Sequence, residues 1–428
     1  MTTTSVAKRH GMDGYAHVVR LALLLYRSTL AVAPMLAALL RPLYGVAAGR
    51  QCTVLATGTF FSNNWLQAHM IPLLASSACE RVVIVGDHPF MQHERLEYHC
   101  PPRWLRRIVG RVGARTLLLL WAALRLRPQH VMGYHLIPNG MSALLAARLA
   151  GARAIYQCCG GPGELDGGGP AMQENGVLRR VKEPDRNIAR QLCAIARRFD
   201  IIVTRGAEAS RFFTSSCMQS TVIAIPAGLD SRSYSNWAAH VKEYDLITVG
   251  RLTEVNRIDV FLQMVELIRA RRPAVRTVVV GDGALRQTLE SDAHRRGLDA
   301  NVEFAGVQDD VASWLQRARV FVLTSDSEGL SIALAEAMMT GLPAVVSRVG
   351  DLGTLVVDGT NGFLVDRRRP DLFAAAALRL LEDSGMLLRF ADQARRRAMA
   401  VCDSSAVSTQ WTSILQGSSS SRRGNKYA

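Results

Sequence analysis

What this sequence is short of narrows its class first. Its eight cysteines, at positions 52, 79, 100, 158, 159, 193, 217 and 402, make no Cys-x-x-Cys pair, and the adjacent Cys158 and Cys159 cannot easily bridge each other. That spacing argues against a disulfide or metal framework and predicts free thiols in a reducing compartment. Acidic side chains are scarce beside basic ones, 36 against 51, which leaves a formal net charge of +15 and a pI near 10.0. Charged residues make up only 20% of the chain and hydrophobic ones 49%, so a disordered tail protein and a collagen are excluded. No short tandem repeat is visible. A chain of 428 residues exceeds what one core supports, since single cores stop growing near ~250–300 residues, so two or three domains are expected.

A long uncharged apolar run is also missing. The stretch 18–46 is apolar, but Arg20, Arg27, Pro34 and Arg41 interrupt it, and its longest charge-free run, 28–40, has 13 residues. A spanning helix needs about 20. Arg27 inside the apolar region also argues against a signal peptide. Residues 1–50 are therefore expected to form an apolar, basic helical extension of one or two helices. These bury against the first domain or lie on a membrane, in a cytoplasmic protein peripheral at the inner face of the plasma membrane.

The positive charge is concentrated early. Residues 1–128 hold 15 Lys/Arg and 5 Asp/Glu, a net of +10. Within them Arg103-Trp104-Leu105-Arg106-Arg107-Ile108-Val109-Gly110-Arg111, continuing through Arg115 to Arg125 and Arg127, interleaves basic and apolar residues at helical spacing. Such a helix can lie on an anionic bilayer, apolar side down and arginines at head-group level. A nucleic-acid patch and an ordinary solvated face are the other readings of the same pattern.

From about residue 50, short apolar runs ending in Gly, Asp or His alternate with longer helical patterns. The runs 53–56, 82–85, 130–132, 154–156, 201–203 and 222–225 read as strands of a first domain, and 246–249, 277–280, 302–304, 320–323, 344–346 and 363–365 as strands of a second. Fully apolar strands separated by helices argue for parallel sheets covered on both faces. The expected fold class is α/β, with two doubly wound Rossmann-like domains facing a central cleft. The boundaries read 51–228 for the first, acceptor-side domain, 229–244 for a polar linker, 245–400 for the second domain, and 401–428 for a C-terminal helix and frayed tail.

In open parallel sheets ligands bind beyond the carboxyl ends of the strands, so chemistry is sought in the residues after each strand. Gly250-Arg251-Leu252 follows one strand; the planar fork of Arg251 suits phosphate oxygens, although a local pair with an acid such as Glu254 would serve it equally. Gly281-Asp282-Gly283 lacks the third glycine of a dinucleotide fingerprint and reads as a tight turn. The sharpest constellation runs from Ser325 to Met338: Glu328 lies in a turn, Gly329, Leu330 and Ser331 offer amides at a helix start, and Glu336 lies inside the helix. A helix start with unpaired amides attracts anions. One carboxylate beside it and a second below suit a nucleotide-sugar, the first for sugar hydroxyls and the second for the ribose diol. Solvated helix-start acids are the plainer alternative. In the first half, the Gly-rich segment 160–169 reads as an acceptor-side flap or a solvated linker.

Gly250-Arg251-Leu252, the pair Glu328 and Glu336 with seven residues between, Gly341-Leu342-Pro343 and Asp358-Gly359-Thr360-Asn361-Gly362-Phe363 stand in the order and spacing of a known family. The chain resembles the retaining glycosyltransferases of family 4 (group 1 glycosyl transferases, GT-B fold). The resemblance covers nearly all of 245–400. It is weaker in the first half, where it rests on Gly58, His135 and Ile225-Pro226-Ala227-Gly228-Leu229-Asp230. It implies a nucleotide-diphosphate sugar held mainly by the second domain, with Arg251 on the diphosphate, Glu328 on the transferred hexose, Gly329, Leu330 and Ser331 giving amides, Glu336 on the ribose and Val307 bordering the base. It places His135 near the sugar and lets the Gly58 loop approach the diphosphate. It also implies no catalytic metal and no further cofactor.

One departure from the family stands out: its second diphosphate cation, a lysine, is replaced by Asn256, with Arg257 next. Either Arg257 swings in, Arg251 acts with amides alone, or the chain is a weak or inactive member. The expected function is transfer of a hexosyl unit, with retention, to a saccharide acceptor, read as lipid-linked, in cell-surface polysaccharide or lipopolysaccharide biosynthesis. Rivals are an epimerase or phosphorylase on the same fold and a non-catalytic nucleotide-sugar scaffold. The expected partners are the nucleotide-sugar, the acceptor and an anionic membrane surface, with no nucleic acid.

Overall fold

The computed structural model describes residues 3–44, 52–60, 63–169, 172, 175–234 and 241–417, with the side chains of 14–39 described in the first helix. Two compact units result, residues 1–225 with 408–428, and residues 226–407. The expected tail at 418–428 and the centre of the expected linker, 235–240, lie outside the described residues.

Unit 1 is built on seven parallel strands: β1 (Cys52–Thr57), β2 (Cys79–Val85), β3 (Leu96–His99), β4 (His130–Tyr134), β5 (Arg153–Gln157), β6 (Ile201–Thr204) and β7 (Thr221–Ala224). They lie in the order β3-β2-β1-β4-β5-β6-β7. Unit 2 has six: β8 (Tyr244–Val249), β9 (Thr277–Val280), β10 (Val302–Gly306), β11 (Ala318–Leu323), β12 (Ala344–Ser347) and β13 (Gly362–Val365), in the order β10-β9-β8-β11-β12-β13. Each expected apolar run is a strand. Strand β3 was not legible: Leu-Glu-Tyr-His is half-exposed, sits at the sheet edge and pairs only with β2. In both units the strand order reverses between the first strand and its neighbour, β1/β4 and β8/β11. That is the topological switch point where open α/β sheets hold ligands.

Helices α2 (Asn63–Leu74), α3 (Arg103–Leu126), α4 (Met141–Ala150), α5 (Arg186–Ala196) and α6 (Ala207–Ser216) belong to unit 1. Unit 2 holds α7 (Ile258–Arg269), α8 (Arg286–Arg295), α9 (Val311–Gln316), α10 (Ile332–Met339), α11 (Pro370–Glu382) and α12 (Ser384–Cys402), and α13 (Ser404–Leu415) runs across the division. Each unit has its own apolar core, Leu55, Val83, Val131, Leu144 and Tyr156 contributing to the first and Leu246, Phe261, Val279, Val320 and Phe373 to the second.

The N-terminal extension is one helix, α1 (Thr3–Tyr44), rather than two. Its buried residues Ala16, Val19, Leu23, Leu30 and Ala33, with half-buried Tyr26, recur at three- and four-residue steps, the seam spacing of packed helices. This seam lies on α4 and α5. Tyr26 Oη donates to the Met141 carbonyl at 2.6 Å, Tyr15 Oη donates to the Val177 carbonyl at 2.7 Å, and Arg20 ion-pairs with Asp185. Residues Gly14–Leu39 are long and apolar enough, by length and composition, to cross a membrane, which the count of charge-free residues alone did not indicate.

Two expectations change. Residues 229–234 pack as part of unit 2: Leu229 N donates to the Cys402 carbonyl at 2.8 Å, Ser404 N donates to the Leu229 carbonyl at 3.0 Å, and Tyr234 is buried. The division therefore falls at 225/226, before the stretch read as linker. The Gly-rich segment is neither flap nor solvated linker. Gly167, Gly168 and Gly169 are buried at positive φ, and a Cβ on Gly168 would stand 2.6 Å from Val181 Cγ1. Glycine is there for close packing rather than for mobility.

Candidate functional site

Unit 2 brings the Arg251 loop and the Glu328 turn to its switch point, while Val307 follows the edge strand β10. Strand β8 ends at Val249 and delivers Gly250 and exposed Arg251; β11 ends at Leu323 and delivers Thr324, Ser325 and the turn into α10. The two loops are tied together: Asp326 N donates to the Val255 carbonyl at 2.8 Å, and Thr324 Oγ1 donates to the carbonyls of Asn256 at 3.1 Å and Arg257 at 2.9 Å. The β8 loop is thereby fixed against the start of α10.

Glu328 is half-buried, and Ser325 Oγ donates to its Oε1 at 2.8 Å. Its backbone is pressed by Gly350, whose φ is +51° and where a Cβ would stand 1.8 Å from the Glu328 carbonyl oxygen. Ser331 is the N-cap of α10 and its Oγ accepts from Leu334 N at 3.3 Å, so its hydroxyl is committed to the helix. The amides of Gly329, Leu330 and Ser331 donate to no described residue. The helix start is thus self-capped at one amide, not closed. Glu336, one turn inside α10, has its Oε1 3.3 Å from the Tyr234 hydroxyl, which donates to it. Burial pushes its carboxyl up to about 7, against the lowering effect of that hydrogen bond. Val307 follows β10 and is 73% exposed.

Of the three alternatives at Asn256–Arg257, the contacts of Arg257 speak against the first. Arg257, at φ +51°, binds Asp259 with both ends of its fork, at 2.8 and 2.7 Å, and reaches Asp326 at 3.2 Å. It is committed to two carboxylates, which corrects the idea that it replaces the absent lysine. Asn256 lies over Gly250, its Nδ2 2.8 Å from where a Cβ would be. Asp326 is the acid the sequence reading missed: Arg368 also grips it, at 2.9 and 2.6 Å. Burial would raise the Asp326 carboxyl, but Arg368 and Arg257 hold it below the usual range.

In unit 1, Gly58 follows β1, and a Cβ there would stand 2.7 Å from the Phe60 ring and 3.1 Å from Tyr134 Cβ. His135 follows β4 at φ +61°, a conformation that costs a non-glycine residue about 1–3 kcal/mol. It is held by its N–H donating to the Gln157 carbonyl at 3.0 Å and its carbonyl accepting from Gly140 N at 2.8 Å. Its Nδ1 lies 2.9 Å from Oε1 of Glu164, a residue the sequence reading passed over inside the Gly-rich segment. Glu164 is buried and also accepts from the amides of Leu136, Cys159 and Gly160, at 2.9, 3.0 and 2.6 Å, and from Tyr156 Oη at 2.7 Å. Burial alone would raise its carboxyl, but His135 and these hydrogen bonds hold it below the usual range. An ionised carboxylate only accepts, so His135 carries a proton on Nδ1.

All eight cysteines are free. Among the described residues, no group of three or more His, Cys, Asp or Glu side chains could hold a metal ion.

The two switch-point sheets, each ending in loops built for a polar ligand, define a GT-B architecture. In the structure of HepE from Anabaena in complex with UDP and glucose, 86% of this chain superposes on 99% of that one with a TM-score of 0.66 at 16% identity. Residues 243–383 match the family described as glycosyl transferases group 1, so unit 2 carries a domain of that family. Two relatives agree. The Vi polysaccharide biosynthesis protein VipC/TviE of Salmonella typhi is 39% identical over 94 residues, 22% of this chain and 16% of that protein. The lipopolysaccharide core biosynthesis glycosyltransferase LpsE of Rhizobium meliloti (strain 1021) is 28% identical over 170 residues, 40% of this chain and 49% of that protein. The matches therefore span half or less of these curated relatives.

Proposed function

We propose that the chain transfers a hexosyl unit from a nucleotide-diphosphate sugar to a saccharide acceptor, with retention of anomeric configuration, in the assembly of a cell-surface polysaccharide or lipopolysaccharide. The observation that carries this reading is the start of α10, where unspent amides, Glu328 and the loop of Arg251 are locked together beside a second carboxylate, Glu336. In this reading Arg251 and the amides meet the charge that builds on the leaving diphosphate. Glu328 takes hydroxyls of the transferred sugar and Glu336 the ribose diol. The acceptor hydroxyl attacks from the leaving-group face: the bond from the anomeric carbon to the diphosphate oxygen breaks, the bond to the acceptor oxygen forms, and a diphosphate oxygen takes the proton. Charge is met by amides and Arg251 rather than by a metal ion. UDP in the related HepE structure makes UDP-sugars the first donors to test.

The acceptor is proposed to be lipid-linked and the protein to work at the inner, anionic membrane surface. Support comes from the outer side of α1, where Val18, Leu21, Leu25, Val32 and Leu36 are exposed opposite the docked seam, and from α3, where Trp104, Ile108 and Val112 are exposed beside Arg103 and Arg107. Because one stripe of α1 is hydrogen-bonded and ion-paired to unit 1, the helix is read as lying in the interface plane rather than spanning. Arg115, counted with the basic face from sequence, turns inward to Asn139 and Asp87, at 2.8 and 3.4 Å, and takes no part.

The test is incubation of the full chain with UDP-, GDP- and ADP-hexoses and saccharide acceptors, read by NMR. A new glycosidic linkage with the donor's anomeric configuration, lost in E328Q and R251Q, is the expected product. A free epimer, a sugar phosphate, or donor binding without any turnover would replace the proposal by one of its rivals.

A further inference from the structure

The carboxyl ends of β4, β5 and β6 bring together a second group of side chains that the reading above does not use. Arg205 follows β6 and is 5% exposed. Its described contacts are Cys159 Sγ, 3.3 Å from Nη2, and the Trp65 ring, whose centroid lies 6.0 Å from the guanidinium carbon. No carboxylate among the described residues pairs with it. Burial holds the Cys159 thiol up, so the sulfur stays neutral and does not offset the cation. Of the acids in the adjoining loop, Glu164 is spent on His135, three amides and Tyr156. Among the described residues this enclosed cation has no counter-charge, and an enclosed cation lacking one is costly.

The surroundings point the same way. Trp65 stacks on His69 with centroids 4.0 Å apart and meets Tyr134 edge-on at 5.4 Å. His69 Nδ1 lies 2.5 Å from the Trp65 carbonyl, an acceptor, so Nδ1 carries the proton and Nε2 is left as a buried acceptor. His69 Nε2 and Tyr134 Oη are both buried without a hydrogen-bond partner. Orphaned buried polar atoms are uncommon and call for an explanation. Here three functions converge beside an aromatic face: a guanidinium, a hydroxyl and an imidazole acceptor. That set suits a sugar ring carrying an oxyanion, with the ring against Trp65 and the anion on the planar fork of Arg205.

We propose that Arg205, with Trp65, Tyr134 and His69, forms a subsite in unit 1 for an oxyanion on the saccharide acceptor, either a phosphate ester or a uronic carboxylate. Arg205 follows β6, two strands along from β4, so at about 4.8 Å per strand its strand end lies roughly 10 Å from the β4 end, where Tyr134 adjoins the sugar-side histidine His135. That is a reach of about one or two sugar rings. The inference rests on the transferase reading for the ligand's identity, but its test is binding, not turnover, so the two fail separately.

Calorimetry on the full chain, with methyl glucoside, methyl glucuronide and glucose 6-phosphate as probes, tests it. At least one anionic probe is expected to bind ten times tighter than methyl glucoside or better, in the wild type and in R251Q, and to lose that preference in R205Q. Which anionic probe wins distinguishes carboxylate from phosphate. Equal affinity for all three probes overturns the proposal, as does a preference lost in R251Q but kept in R205Q, which would assign the anion to the proposed diphosphate site. Arg205 is buried and R205Q could fail to fold. The wild type labelled with 15N-arginine gives an independent readout: the Nε–H resonance absent from R205K should move on adding the anionic probe and stay still with methyl glucoside. A resonance that does not move with the anionic probe overturns the proposal equally.

Discussion

At the scale of single residues, two carboxylates behave in opposite ways because of what surrounds them. Glu164 is held ionised by five hydrogen-bonding groups, and one charge-assisted hydrogen bond of that kind contributes about 1.5–3 kcal/mol. Replacing it by Gln (E164Q) should release the His135 tautomer, visible as loss of the Nδ1–H signal in 15N NMR. It should also lower kcat roughly ten- to a hundredfold with little change in the KM for the nucleotide-sugar. In an H135A background the same change should add nothing further, since the carboxylate acts through the imidazole. An additive loss would make its role structural only.

Glu336 goes the other way: burial pushes it up to about 7, so near neutrality it is partly protonated. For a carboxyl raised in the folded state, the folded protein holds the proton longer than the unfolded chain does. Its contribution to stability is complete below the unfolded value of 4.5 and is lost as pH rises through about 7. The denaturant midpoint should therefore fall between pH 5 and 8, less so in E336Q. A ribose diol donates to a carboxylate, so UDP-glucose should bind more tightly as pH rises over the same window. Binding below pH 7 should release a proton, detectable by calorimetry in buffers of different ionisation enthalpy. A flat profile in the wild type would remove Glu336 from the nucleotide site.

At the scale of elements, α1 carries two faces with different jobs. Leu23 lies on the buried seam and Leu25 on the opposite, exposed side. L23D should destabilise unit 1 by about 2–4 kcal/mol, because a charge enters an apolar seam. L25D should leave the unfolding midpoint unchanged and weaken binding to anionic vesicles. The α3 substitutions R103E and R107E should do the same, with the effect shrinking at high salt. Vesicle binding indifferent to L25D and to the arginine changes would remove the membrane argument. The seam's three- and four-residue steps are visible in the sequence only once the docked residues are known, because Leu and Val also occupy the exposed face and blur the amphipathic contrast.

At the scale of the whole molecule, the two units have separate cores. Calorimetric unfolding should depart from a single two-state transition, and a UDP-sugar should raise the transition belonging to unit 2 selectively, by linkage. A single transition shifted as one would refute independent units.

The sheets apart from edge strand β3, their doubly wound class, and the placing of Gly250-Arg251 and Glu328 in turns after strands and of Glu336 in the helix that follows were legible in the sequence. They depend on short-range properties: apolar runs of strand length, glycine turns and capping residues, which each segment carries by itself. The commitment of Arg257 to Asp259 and Asp326, the docking of α1, the inward turn of Arg115, and the placing of Glu164 under His135 and of Arg205 beside Trp65 were not. These join residues from two to about 165 positions apart. Apart from the near neighbours Arg257 and Asp259, no local pattern encodes such pairings, because they form only when the sheet order brings distant strand ends and helices side by side.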